Sequence, residues 1–465
     1  MLFFSASLVL TVLASTCQAT VTSVIEKDVA IIGGGAAGTY AAIGLKDRSK
    51  SVIIIEKDSI LGGHTDTYID KSNGRHVNVG VQVLHNEQLV KDYVTGRLGV
   101  PLALRTVAAS ESVNANFDNG QRIPNVPAAG SQVLQDAAQR YLAIYRSRFP
   151  YLEDGAGAAK VPFPVPEELL LPFTTWAQNN NLTAIVPLCY SFLQNVGDLF
   201  NTTAVDVLKG FPPSLLNSVF TGFQVVASGD HQDIYTAASK ILAGDVLYNS
   251  VPKSINRSNK KDKCIRVVVS TPRGEQVILA KKLIITINPL VNELKALDLS
   301  RSESSLFSKF HTLGYFAGVT DNPGINTTIT NVDPQNPYGF ARLPGIFNFS
   351  PNAAGKMSFY GGSMNTISNA DGRQLLLKHL ETLKSTGVIP TGKTDILFFT
   401  NHSPYQLRTS AQEIKNGFYR DLYGLQGKNG TFWTGATLAN HDSTLIWKYT
   451  EREVIPKVLS ALEGH

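Results

Sequence analysis

Three glycines, Gly33, Gly35 and Gly38, follow the apolar run Val29 to Ile32, and an acid, Glu56, ends a second apolar run from Val52 to Ile55. That spacing suits a nucleotide pyrophosphate. Gly33 lets the chain turn sharply, Gly35 lets backbone N–H groups approach phosphate with no Cβ in the way, and Gly38 lets the following helix pack closely. A carboxylate about twenty residues beyond the glycines can accept hydrogen bonds from the ribose hydroxyls of an adenosine.

Those residues need particular elements to hold them. Val29 to Ile32 reads as a buried strand, about Ala36 to Leu45 as a helix with its N-terminus at the phosphates, and Val52 to Ile55 as a second parallel strand. The order strand, glycine turn, helix, strand is a βαβ unit. Further on, His76 to Leu84 alternates apolar and polar residues and predicts a strand in which Gly80 leaves room for something flat. A helix is predicted from Asp233 to about Leu242, then strands at Val246 to Val251, Ile265 to Ser270, Gln276 to Ala280 and Leu283 to Ile287. Near the C-terminus, Thr431 to Ala436 reads as a short strand entering Gly435, and Ser443 to Glu451 as a helix capped by Asp442 or Ser443.

At 465 residues and 43% hydrophobic content the chain can bury a large core of two or three domains. The net charge of +5 is modest, and its densest basic stretch, Lys253 to Lys263, is interleaved with Asn and Ser, as in a solvated loop rather than a nucleic-acid surface. Leu2 to Leu13 followed by Cys17-Gln18-Ala19 reads as a secretory signal peptide over residues 1–19, cleaved after Ala19. No other run is long enough for a transmembrane helix. Asn181, Asn201, Asn256, Asn326, Asn348, Asn401 and Asn429 begin glycosylation sequons, which agrees with a secreted or lumenal protein carrying N-glycans. Cys189 and Cys264 are compatible with one disulfide or two thiols, and no His or Cys spacing suggests a metal site.

The glycine fingerprint, the Glu56 strand end, the Gly62-Gly63 pair and the Gly80 strand together resemble the N-terminal region of the flavin amine oxidase superfamily. The variant is similar to fungal flavoproteins of the β-cyclopiazonate dehydrogenase type, and to flavin-dependent fatty-acid double-bond isomerases. That family often has arginine after the glycine pair, where this chain has His64, and an acid after the C-terminal glycine, where it has Ala436. The resemblance implies an α/β fold: a discontinuous Rossmann-like FAD-binding domain (25–86, 231–289, 425–465) with an inserted α+β substrate domain (87–230, 290–424). It places FAD on Gly33, Gly35, Ala37, Gly38, Glu56, Lys57, Gly63, His64 and Gly80. Beyond these it implies the Val251 backbone at the adenine, Gly435 by the ribityl-pyrophosphate, and the helix start at Ser443, Thr444 and Leu445 by the flavin pyrimidine.

A bound flavin accepts hydride itself, so the protein need only hold a substrate C–H near flavin N5 and manage one proton. His402 is the candidate base, Tyr405 an aromatic wall or donor, and His64 a second candidate beside the flavin. No nucleophile-elbow serine, phosphate loop with lysine, paired carboxylates or second dinucleotide fingerprint is present. The expected activity is oxidation of a small, largely apolar molecule, a secondary metabolite or an amine, with molecular oxygen as acceptor. A redox-neutral double-bond isomerase and a non-catalytic carrier of the same fold are the alternatives.

Overall fold

The computed structural model describes residues 24–106, 112–126, 129–153, 155–258, 264–322 and 324–464. The expected signal peptide lies outside them. Two seven-stranded sheets dominate. In the first, Val24–Ile32 lies between Val52–Ile55 and Gly274–Ile285, parallel to both, with Val246–Leu247 outside Val52–Ile55. Val29, Ala30, Ile31, Ile53, Ile54 and Ile284 are buried almost completely, which is why these strands read as unbroken apolar runs.

The strand Gly274–Ile285 is long enough to serve two partners. Its first half pairs antiparallel with Ile265–Thr271, which in turn pairs with Val251–Asn256, and its last three residues pair parallel with Thr431–Trp433. The glycine turn and Gly435 thereby arrive at the same edge of the sheet. Beside it, Arg257 is buried and donates to both Glu303 carboxylate oxygens at 2.6 and 2.8 Å and to Asp298 at 2.6 Å. This network anchors the segment carrying Leu294 and Leu297 against the strand Val251–Asn256, whose Ile255 N–H donates to Ala296 O at 2.6 Å.

In the second sheet, His311–Asp321 is paired on one side with Met357–Ser363 and on the other with Asp395–Asn401 and then Tyr405–Arg408. Gly345–Pro351, Thr328–Asn331 and Ser112–Ala115 complete it. The change of partner from Asn401 to Tyr405 leaves His402-Ser403-Pro404 as a short connection whose ends are both held by one strand.

Two sequence expectations change. The strand over 76–84 is only His76–Asn78, paired with Thr67–Ile69; Val79 is buried, but the chain beyond it makes no ladder. Gly80 has a different task from the one expected. A Cβ there would lie 1.8 Å from His64 O, so the glycine admits the backbone of the His64 to Asp66 segment rather than a flat ligand. The strand over 246–251 is likewise divided into Val246–Leu247 and Val251–Asn256.

Cys189 is fully buried in the helix Val186–Phe192 and not disulfide-bonded, which excludes the pairing with Cys264. Of the sequons, Asn181, Asn201, Asn256, Asn326 and Asn429 are exposed, whereas Asn348 and Asn401 are half-buried. The Asn401 amide donates to Ile367 O at 2.8 Å inside the second sheet, so a glycan there would cost that bond. Among the described residues, no helix is long and apolar enough to cross a membrane.

Candidate active site

A cavity of about 820 Å³ runs between the two sheets, lined at one end by Glu56, Lys57, Ser250, Val251, Leu294 and Leu297 and at the other by His64, Tyr315, His402, Tyr405 and His441. Gly33, Gly35, Ala37, Gly63 and Gly435 line its middle.

The glycine turn is built around space that the protein itself does not use. Gly33 has φ +98°, and a Cβ on it would lie 2.5 Å from Thr286 Oγ1; a Cβ on Gly38 would lie 1.9 Å from Gly33 O. Both glycines are demanded by the fold. Gly35 is not: its φ is −75°, and its Cβ would meet nothing closer than Gly63 Cα at 3.6 Å. A glycine without internal need, opening on a cavity at the N-terminus of the helix Ala36–Lys46, fits a bound pyrophosphate. The Glu56 carboxylate is held by Gly34 N–H at 2.6 Å and Asp58 N–H at 2.9 Å, and it faces the cavity where a ribose belongs. Lys57 beside it is exposed, and the exposed Val251 lines the same end.

Three of the expected cofactor contacts do not line the cavity. Gly38 packs against the turn, as its helix position requires. Thr444 is fully buried, its Oγ1 accepting from His85 N–H at 3.0 Å, and the Leu445 N–H is taken by Asp442 Oδ1 at 3.0 Å. Asp442 caps the helix Ser443–Tyr449, so a carboxylate already occupies the helix end that was expected to face the pyrimidine. His85 Nε2 approaches Asp442 Oδ2 at 3.1 Å, and Ser443 lines the cavity.

The histidines come from three parts of the chain. His64 follows the Gly62-Gly63 turn, His402 follows the strand Asp395–Asn401, and His441 precedes the Asp442 cap. Their positions are fixed by backbone bonds: Gly62 N–H to Gly34 O at 3.0 Å, His402 N–H to Tyr315 O at 2.9 Å, and Gln406 N–H to His441 Nε2 at 3.1 Å. Asn288 ties two of these segments together, its Nδ2 donating to Pro404 O at 2.9 Å and its Oδ1 accepting from Thr437 Oγ1 at 3.3 Å. The His64 ring lies 4.4 Å from His402, 5.6 Å from Tyr405 and 6.0 Å from His441, between centroids. Tyr405 packs 3.7 Å from His441 and 4.9 Å from Tyr315.

All three imidazoles are held neutral. Burial lowers His402 to about 4 and His64 to about 3, with His402 pushing His64 the same way and Asp66 opposing. Burial, with His64 and His402 adding repulsion, holds His441 well below its ordinary value. The His64 ring is open to the cavity although protein surrounds it, so cavity water weakens its shift; His402, 6% exposed, keeps its own more fully. His402 Nε2 has no hydrogen-bond partner among the described residues, Asp66 Oδ2 standing 3.7 Å away, beyond hydrogen-bond range. A buried, neutral, unpartnered imidazole nitrogen is suited to taking a proton from something bound in the cavity.

This arrangement makes stability depend on pH in a definite direction. Between about pH 6.5 and 4 the unfolded chain protonates His402, while the folded protein does not. Buried His231 and His379, each also lowered to about 4 by burial, behave in the same way. The unfolded state binds more protons in that window, so stability is complete above it and is lost as pH falls, by about 1.4 kcal/mol per pH unit for each fully buried histidine. Thermal melts of the protein should show Tm dropping steadily from pH 6.5 to 4.5; a Tm that is flat or rises across that range contradicts neutral burial.

His441 and Tyr315 were absent from the sequence-derived candidates. Tyr315 sits inside an ordinary strand pattern, and His441 carries no local motif; only the convergence of three segments marks them.

With the geometry in view, the relatives are informative. Residues 31–95 match the NAD(P)-binding Rossmann-like domain. An FAD-dependent oxidoreductase of Colletotrichum higginsianum is 36% identical over 447 residues, covering 93% of this chain and 93% of that protein. Beta-cyclopiazonate dehydrogenase of Aspergillus oryzae is 33% identical over 443 residues, 94% of each. Among solved structures, the CLA-producing fatty acid isomerase from P. acnes superposes with a TM-score of 0.74 at 19% identity, covering 94% of this chain and 98% of that one. A putrescine oxidase variant reaches 0.63 at 15% identity, covering 94% and 100% respectively. The class defined by fold and site is that of flavoproteins with the amine-oxidase architecture. Within it, this chain belongs to the family of FAD-dependent oxidoreductases that includes beta-cyclopiazonate dehydrogenase, and FAD is its cofactor.

Proposed function

We propose that the protein is a secreted oxidase or dehydrogenase that removes hydride from a small, largely apolar organic molecule of the secondary-metabolite kind, with oxygen as the final acceptor. The observation that carries this reading is the cavity itself, which joins a dinucleotide cradle at Glu56 and Gly35 to a neutral histidine and tyrosine array at His64, His402 and Tyr405. When bound, FAD supplies the hydride acceptor. The chain's residues do the rest. Phe192, Leu193 and Leu215 offer apolar wall, Tyr405 stacked on Tyr315 presents an aromatic face, and His402 Nε2 takes the proton that accompanies oxidation. The two sheets enclose the site and restrict water. Secretion is supported by the apolar run before Ala19 and by five exposed sequons, Asn181, Asn201, Asn256, Asn326 and Asn429.

The test is the visible spectrum of purified protein before and after denaturation and filtration, combined with intact mass. Flavin bands and a mass corresponding to cleavage after Ala19 are expected; a chain that takes up no FAD when it is added overturns the reading. Stoichiometric oxygen uptake with a turned-over compound supports the oxidase, and product formed without net uptake supports a double-bond isomerase instead.

A further inference from the structure

His441 is placed as a hydrogen-bond donor with a known proton position. Its Nε2 receives the Gln406 backbone N–H at 3.1 Å, and a backbone amide can only donate, so the neutral ring must carry its proton on Nδ1. Gln406 is itself constrained. It is 2% exposed and held at φ +29°, a conformation uncommon for a residue with a side chain, so its N–H direction is set by the surrounding fold. The His441 ring is clamped against Tyr405 at 3.7 Å and stands parallel to His64, 7° between planes, on the cavity wall. No described residue accepts from Nδ1. Its N–H therefore opens on the same end of the cavity as His402 Nε2, which is an acceptor without a donor.

Resting on the functional reading above, we infer that His441 is a specificity-determining donor, and that the substrate carries an oxygen acceptor, a carbonyl or phenolate, close to the carbon that is oxidised. An alkylammonium group brings only donors and would meet the Nδ1–H donor to donor, so a simple aliphatic amine is the wrong chemistry for this wall. A ketone or phenolate oxygen pairs with it, and its bound orientation would then direct the neighbouring carbon into the cavity.

The experiment uses FAD-loaded enzyme and two probes of one shape, acetophenone and α-methylstyrene, which differ in having C=O or C=CH2. Binding is read from perturbation of the flavin absorbance, with flavin content measured on the same samples. Wild type should bind acetophenone more tightly than α-methylstyrene by about tenfold, the worth of one hydrogen bond in a dry site. His441→Phe should erase that ratio, and His441→Asn, which restores an N–H near the Nδ1 position, should recover most of it. Equal binding of the two probes by wild type, a ratio unchanged in His441→Phe, or no recovery in His441→Asn despite full flavin content each overturns the donor assignment. Absence of flavin from wild type overturns the functional reading as well, and the flavin measurement separates the two failures.

Discussion

Gly35→Val gives a folded protein that emerges without flavin. At φ −75° a side chain is conformationally allowed, and the first added carbon meets only Gly63 Cα at 3.6 Å, an ordinary contact. The fold therefore tolerates the change. The cost falls on the ligand, because the valine methyls occupy the space through which backbone N–H groups reach a pyrophosphate. Losing two charge-assisted hydrogen bonds there is worth about 3–6 kcal/mol, or roughly two to four orders of magnitude in FAD affinity. Circular dichroism and absorbance at the flavin band check this together: Tm close to that of wild type at saturating FAD loss is the expected pair of results. Full flavin content in the variant would remove the glycine turn from the cofactor site. Gly33 and Gly38 cannot serve as this test. A Cβ at either collides with Thr286 Oγ1 or Gly33 O, so their variants would lose flavin by losing the fold.

His402→Ala keeps the flavin and loses the rate. His402 Nε2 is the buried ring nitrogen without a partner at the histidine end of the cavity, and a positioned base of this kind contributes about 10²- to 10⁴-fold. Anaerobic stopped-flow reduction by substrate should slow by that range while FAD content stays at the wild-type level. The pH dependence follows from the same burial. Its pKa lowered to about 4 leaves the ring in its basic form above that pH, so the reduction rate should be level from pH 6 to 8 and fall as pH drops towards 4. Unchanged reduction kinetics in the variant would take His402 out of the mechanism. His402→Gln separates shape from basicity: it fills much of the same volume, and a rate as low as that of the alanine variant assigns the loss to the missing base.

The dinucleotide end of the site was legible because its signals are local. A strand, a glycine turn, a helix and an acid at the next strand end lie within about thirty residues, and each glycine answers to a backbone constraint that can be reasoned from spacing alone. Glu56 sits where that reasoning put it, at the end of Val52–Ile55 with its carboxylate bonded to the turn. Periodicity misled where tertiary packing replaced pairing. Val77, Val79, Val81 and Val83 alternate as a strand does, yet only His76–Asn78 finds a partner, and Gly80 serves the close approach of His64 O.

At the C-terminal helix the sequence left the cap open between Asp442 and Ser443; the structure chooses Asp442, which takes the Leu445 N–H and places a carboxylate where a free helix end was expected. The catalytic end is a different kind of object. His64, His402 and His441 are separated by hundreds of residues or by a whole helix and strand, and no periodicity links them. What the amino-acid sequence by itself determined was the cofactor cradle, since a pyrophosphate is bound by contiguous backbone. What only the tertiary structure decided was the proton chemistry: which imidazoles meet, which nitrogen of His441 bears the proton, and that burial keeps them neutral, because protonation and tautomer depend on neighbours that the chain brings together only by folding.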